Sequence, residues 1–191
     1  MRRQVTSLGL SPRNGWRGGQ GIPWAAWKAN LNASILGSVK KTPTEDKRGP
    51  TIVNAAYTGQ IKVRFADTDA NGHTYFGSYL VLADEVVSEY LAQVGWDGGT
   101  DGDFLTFTVN ANIDFVGECM AWDILEVSCR FTKMGNSSCA LEFEMLNTST
   151  NEVATRGSFT YVFVDKATRK SRPIPQAIKT AIIAAQPELA G

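Results

Sequence analysis

The sequence predicts an α+β fold: a curved antiparallel sheet of about five strands wrapped around one long central helix, with a further helix at the C-terminal end. Two patterns predict it. Between residues 80 and 94 apolar side chains recur every three or four positions, and from residue 106 to 164 they recur every second position in successive runs.

The first strand is expected over Gln60 to Phe65, where it runs into the Asp/Asn/Gly-rich turn at 67 to 72. The helix follows: Leu80, Ala83, Val87, Leu91 and Val94 form an apolar stripe, Asp84, Glu85, Ser88 and Glu89 fall mostly off it, and Gly95 is a C-terminal stop. In the next strand Phe107, Val109, Ala111, Ile113 and Phe115 share one face, against Thr106, Thr108, Asn110, Asn112 and Asp114. Leu125, Val127, Cys129 and Phe131 repeat the scheme, and so do Cys139, Leu141, Phe143 and Met145. The strand Val153 to Val164 is apolar on both faces near its end, which suits a central or interface position. Turns at Gly117, Gly135-Asn136 and Asn147 to Asn151 space these strands as a meander. A closing helix (Ala177, Ile178, Ala181, Ile182, Ala185) enters through Pro173-Ile174-Pro175.

A chain of 191 residues, 43% hydrophobic, has room for one sizeable core. Residues 51–191 are expected to hold it. Residues 1–50 read as an N-terminal extension, Gly-rich and Arg-bearing, with Trp24, Trp27, Leu31 and Ile35 at helical spacing. This extension is read as a docking helix, a disordered tail or a targeting presequence, the last implying a mitochondrion or plastid in place of the cytoplasm.

Net charge is zero overall, but residues 1–44 carry seven basic and no acidic side chains, leaving the remainder acidic by seven. An acidic domain argues against nucleic acid, whose binders draw affinity from neutralising phosphates. No apolar run approaches the roughly 20 residues of a membrane-crossing helix. Cys119, Cys129 and Cys139, ten residues apart, fit neither a disulfide framework nor a zinc knuckle and read as core thiols.

The chemistry concentrates at the strand-to-helix junction. A helix start offers unpaired N–H groups and a partial positive charge, suited to an oxyanion, and a carboxylate a few residues earlier suits attack on the same carbonyl or on its water. Asp67, Asp69 and Asn71 equally suit Asx turns and helix capping, so the residues alone leave both roles open.

The run Phe65-Ala66-Asp67-Thr68-Asp69-Ala70-Asn71-Gly72-His73-Thr74-Tyr75-Phe76-Gly77-Ser78-Tyr79-Leu80 resembles the signature of the 4-hydroxybenzoyl-CoA thioesterase family of hot-dog-fold acyl-CoA thioesterases. The likeness extends over about residues 58 to 185, through the strand order and the Ile-Pro before the last helix.

The resemblance implies hydrolysis of a CoA or acyl carrier protein thioester without cofactor, by a homodimer or homotetramer whose site lies between subunits. It assigns Asp69 as nucleophile or general base and the backbone amides of Phe76 and Gly77 as the oxyanion hole. Gly72, His73, Tyr75 and Tyr79 would border the substrate, and Lys166, Arg169, Lys170 and Arg172 would meet CoA phosphates. Glu85 is a second carboxylate to weigh, because another branch of hot-dog thioesterases uses one on the helix. Two rivals remain. An enoyl-CoA hydratase or dehydratase motif resembles Asp69-Ala70-Asn71-Gly72-His73 but needs one more residue before the histidine, and a non-catalytic module would bind an acyl thioester without turnover.

Overall fold

The computed structural model describes residues 52, 54–96 and 102–190; the expected extension at 1–50, with its tryptophan-bearing helix, lies outside the described residues. Strand β1 is Tyr57–Lys62, a 3-10 turn follows at Phe65–Asp67, and the long helix α1 is Phe76–Gln93. Strands β2 (Phe104–Phe115), β3 (Ile124–Met134), β4 (Ser138–Asn147) and β5 (Glu152–Asp165) come next, then helix α2 (Gln176–Ala185) and a 3-10 turn at Pro187–Ala190. The five strands form one antiparallel sheet in the order β1-β3-β4-β5-β2.

The expected apolar stripe is the buried flank of α1, widened by Tyr79, Leu82, Val86 and Tyr90 because the sheet covers more of the helix than one face. Gly59 on β1 allows this close approach: a Cβ there would sit 2.8 Å from Val86 Cγ1. The expected stop at Gly95 is a Schellman motif. Gly95, at φ 79°, donates to the Ala92 carbonyl and Trp96 N donates to Leu91 O at 2.8 Å. Trp96 is thereby turned back into the core, against Tyr161 and Phe163.

Leu125, Val127, Cys129 and Phe131 are buried against the helix, as are Cys139, Leu141, Phe143 and Met145. Burial pushes the three thiols up to about 12, so they are neutral packing groups at ordinary pH. β5 runs between β4 and β2, in line with its two apolar faces.

Three expectations change. Strand β1 ends at Lys62, short of the expected Phe65, because Arg64 N turns to the Asp67 carboxylate at 2.8 Å and the chain coils into the 3-10 turn. The strands after α1 are no simple meander, since β2 pairs with β5 and occupies the far edge while β3 lands beside β1. The uniform apolar face expected for β2 is broken by an irregularity between Thr108 and Asn110. Opposed residues of an antiparallel pair point to the same side, and one extra residue reverses the alternation. Thr106 and Thr108, opposite Phe163 and Tyr161, therefore share the helix side with Ala111, Ile113 and Phe115, and Phe107 turns to the other face.

Candidate active site

The turn between β1 and α1 is built by local hydrogen bonds that its residue types dictate. Arg64 grips the buried Asp67 carboxylate three times, through its backbone N and Nε to Oδ2 and through Nη2 to Oδ1, all within 2.8–2.9 Å. These bonds hold the Asp67 carboxyl below the usual carboxylate range. The Asp67 carbonyl in turn accepts from Tyr75 N at 2.8 Å, closing the loop onto the helix entrance.

Asp69 occupies the tip. Its Oδ1 accepts the Asn71 N–H at 2.8 Å, its carbonyl accepts the Gly72 N–H at 3.0 Å, and its own N–H donates to the His73 carbonyl at 2.8 Å. Gly72 sits at φ 82°, a conformation that costs a residue with a Cβ roughly 1–2 kcal/mol. The turn is then pinned to the β2–β3 connection, where Thr74 N and Oγ1 both donate to the Cys119 carbonyl, at 2.7 and 3.0 Å.

Helix α1 begins at Phe76 with Tyr75 as N-cap and no capping side chain. The first amides of a helix have no acceptor within it, so Phe76 and Gly77 lie at the positive end of α1 with their N–H groups uncapped by a side chain. The Tyr75 ring lies over Gly77, where a Cβ would approach its Cε1 to 2.8 Å.

The fold brings Asp67, Asp69, Gly72, His73, Tyr75, Phe76 and Gly77 into one turn and helix start. Asp69 is exposed, and so are Tyr75 and Phe76, whose rings lie 4.4 Å apart. Tyr79 is buried beneath the turn with its ring edge on Phe115, and burial raises its phenol well above the ordinary value. His73 Nε2 lies 3.4 Å from Glu118 Oε2. Glu118 was not foreseen, because 45 residues separate it from His73 and the two segments meet only in the fold, through the bridge between His73 and Met120 and the Thr74 bonds to the Cys119 carbonyl.

Glu85 and its neighbour Asp84 are both exposed, and Asp84 lines a cavity between α1 and β2 that no sequence spacing announced. In the basic cluster after β5, Arg172 Nη1 is 2.7 Å from Asp103 Oδ1. Among the described residues no helix is long and apolar enough to cross a membrane.

Residues 63–182 match the model of the thioesterase-like superfamily. A 1,4-dihydroxy-2-naphthoyl-CoA hydrolase of Synechocystis is 27% identical over 129 residues, 66% of this chain and 94% of that protein. The crystal structure of a 1,4-dihydroxy-2-naphthoyl-CoA thioesterase from Synechocystis superposes with a TM-score of 0.62, also at 27% identity and covering 66% of this chain and 94% of that one. A protein of Pseudomonas aeruginosa strain PAO1 superposes at 0.64, with 26% identity and coverage of 70% and 93%.

Proposed function

This chain belongs to the thioesterase-like superfamily and is a hydrolase of CoA thioesters, from which we propose that the Asp69 turn and the start of α1 form its catalytic centre. One observation carries the assignment: an exposed carboxylate, fixed by the Asn71 amide, stands in the turn that delivers the chain to a helix start without a capping side chain. The thioester oxygen is received by the Phe76 and Gly77 N–H groups, where the negative charge that develops on it is stabilised. Asp69 either attacks the carbonyl carbon or takes a proton from the water that does. In both routes the C–S bond breaks and the CoA thiolate leaves and is protonated; where Asp69 attacks, water then hydrolyses the acyl anhydride left on its carboxylate, which releases the acid and restores Asp69. Gly72, His73 and Tyr75 border the bound thioester, with Glu118 fixing the His73 ring, while Tyr79, expected beside the substrate, is buried beneath the turn and supports it from below.

The active unit is a dimer, alone or paired into a tetramer. Strand β2 is a 12-residue edge carrying Phe107, Val109 and Phe115 at 45%, 59% and 37% exposure, a length of apolar edge that single chains rarely leave uncovered. A second copy covers it by two-fold pairing of β2 with itself. The last residue of β2, Phe115, touches Tyr79 near the start of α1, and Thr106 accepts from Trp96 Nε1 just past its end. Two-fold antiparallel pairing therefore sets each Asp69 turn toward the far half of the partner's helix.

Thiol release from a panel of short, long and aryl CoA thioesters tests the activity; a panel that yields no thiol above the uncatalysed rate refutes it. Val109→Glu tests the assembly, because a charge on an edge strand opposes pairing. Sedimentation is expected to show the variant as a monomer with kcat/KM lowered roughly tenfold or more, and a fully active monomer would exclude a shared site.

A further inference from the structure

The β2–β3 connection carries an exposed indole in a backbone conformation that indoles avoid. Trp122 sits at φ 78° in a turn closed by Asp123 N on the Met120 carbonyl at 3.2 Å, and it is 63% exposed. This is the third position of the turn, where a positive φ selects glycine or asparagine and a bulky side chain is an outlier. Strain of this kind persists only where the surroundings over-determine it, and here they do. Trp122 N donates to the Val63 carbonyl at 2.8 Å and Val63 N to the Asp123 carbonyl at 2.9 Å. Asp123 Oδ2 accepts from Met120 N at 2.9 Å and from Nδ2 of the buried Asn147 at 2.7 Å.

What the indole meets within the protein does not account for this strain. Its ring partner among the described residues is the Lys62 ammonium, 5.6 Å from the centroid. An exposed lysine beside an open π-face suits a flat aromatic ring that carries negative charge. The same connection is tied to the catalytic turn: His73 bridges to Met120, Thr74 N and Oγ1 donate to the Cys119 carbonyl, and a Cβ on Gly72 would lie 3.7 Å from Met120 Cε. Asp69 N donates to the His73 carbonyl, so the path from Asp69 to Trp122 crosses two paired positions and then runs along the chain from Met120. It spans at most about 18 Å between Cα atoms, within reach of the extended pantetheine and diphosphate chain of CoA.

We propose that Trp122 and Lys62 form the seat of the CoA nucleotide, with the adenine stacked on the open indole face and the nucleotide phosphates met by the Lys62 ammonium. Stacking asks only for a π-face, so it works on an open surface where hydrogen-bond readout would compete with water. Holding the indole outward in advance spares the ordering that binding otherwise costs. The Asp123 carboxylate is turned to Met120 N and Asn147, which leaves Lys62 beside the ring. This seat rests on the Asp69 turn being the reacting centre, because that fixes where the CoA chain begins. The rival seat is the basic cluster after β5, where Arg172 Nη1 is already 2.7 Å from Asp103 Oδ1.

The test uses the full chain and one acyl group, the one that releases thiol fastest, carried either on CoA or on pantetheine, which lacks the nucleotide. The wild type is expected to show a KM for the CoA thioester about tenfold or more below that for the pantetheine thioester, at similar kcat. Trp122→Gly should raise KM for the CoA thioester about tenfold, or about 1.4 kcal/mol, in the lower part of what stacking a base on an aromatic ring contributes. Its kcat and its pantetheine kinetics stay unchanged, and its melting temperature holds or rises because glycine takes this φ without strain. Trp122→Phe, which keeps a ring, retains most of the CoA preference, and Lys62→Glu raises KM for the CoA thioester alone. A CoA-to-pantetheine ratio that Trp122→Gly does not move, or one moved only by Lys170→Glu in the rival cluster, overturns the seat and leaves the thioesterase reading standing. With no thiol released from any thioester the catalytic reading has failed, and calorimetric titration with CoA and with pantetheine then decides the seat. CoA bound more tightly than pantetheine by the wild type, and about tenfold more weakly by Trp122→Gly, keeps it; equal affinities, or no binding of CoA by the wild type, reject it.

Discussion

Asparagine at position 69 is expected to lower kcat by about 10³-fold, within the range attached to a positioned acid–base group, with the fold and the oligomer unchanged. The structure separates chemistry from architecture at this residue. Asp69 Oδ1 accepts the Asn71 N–H, and the amide oxygen of asparagine accepts it equally well, so the turn keeps its shape. The backbone bonds to Gly72 and His73 do not involve the side chain at all. What asparagine removes is the negative charge that the proposed mechanism uses to attack the carbonyl or to deprotonate water. A drop in kcat with an unchanged melting temperature and mass is the expected pattern. A folded Asp69→Asn protein with full thiol release would move the catalytic carboxylate elsewhere, to Glu118 beside His73 or to Asp84 on the helix.

Valine at position 157 is expected to destabilise the fold by about 3 kcal/mol, at the upper end of what over-packing a core costs. Gly157 lies on the helix side of β5, opposite Phe143 on β4 and Ile113 on β2. A Cβ there would overlap the Phe143 ring and the Asn112 carbonyl oxygen. Phe143 is 1% exposed and stacked on Phe159 with ring centroids 4.9 Å apart, so it has no free volume to move into. At roughly 2–4 °C per kcal/mol for a domain of this size, thermal denaturation should report a loss of about 6–12 °C. Adding Phe143→Leu should recover part of it, because residues in contact are energetically coupled. An unchanged midpoint for Gly157→Val would mean that the sheet yields more than its packing allows.

The parts of this molecule that were legible in the sequence are those that short-range physics writes. The stripe from Leu80 to Val94 and the alternation in β3 and β4 arise from 3.6- and 2-residue periods, and Gly95 ends α1 because its positive φ suits no other residue as well. The turn that presents Asp69 is equally local, since every bond that shapes its tip lies within four residues. The thioesterase resemblance rested on that run together with the succession of strands after it and the Ile-Pro before the last helix.

What the alternation misread in β2 was one residue of register. The irregularity at Val109 reverses the strand's faces, and whether it forms depends on how β2 pairs with β5, some fifty residues downstream. The same distance hid Glu118 from His73, and the cavity draws its wall from α1, β2 and β5 together. Glu85 was weighed from its place on the helix, yet it is Asp84 that the sheet faces, because the wrap of the strands decides which helical flank meets Tyr161.

By itself, then, the sequence determined the elements, the helix ends and the local shape of the turn, all governed by contacts within a few residues. The strand order, the side to which each β2 residue points, and the union of Asp84 with Tyr161 were decided only by the tertiary structure, since hydrogen bonding and packing between segments far apart in the chain leave no period in it.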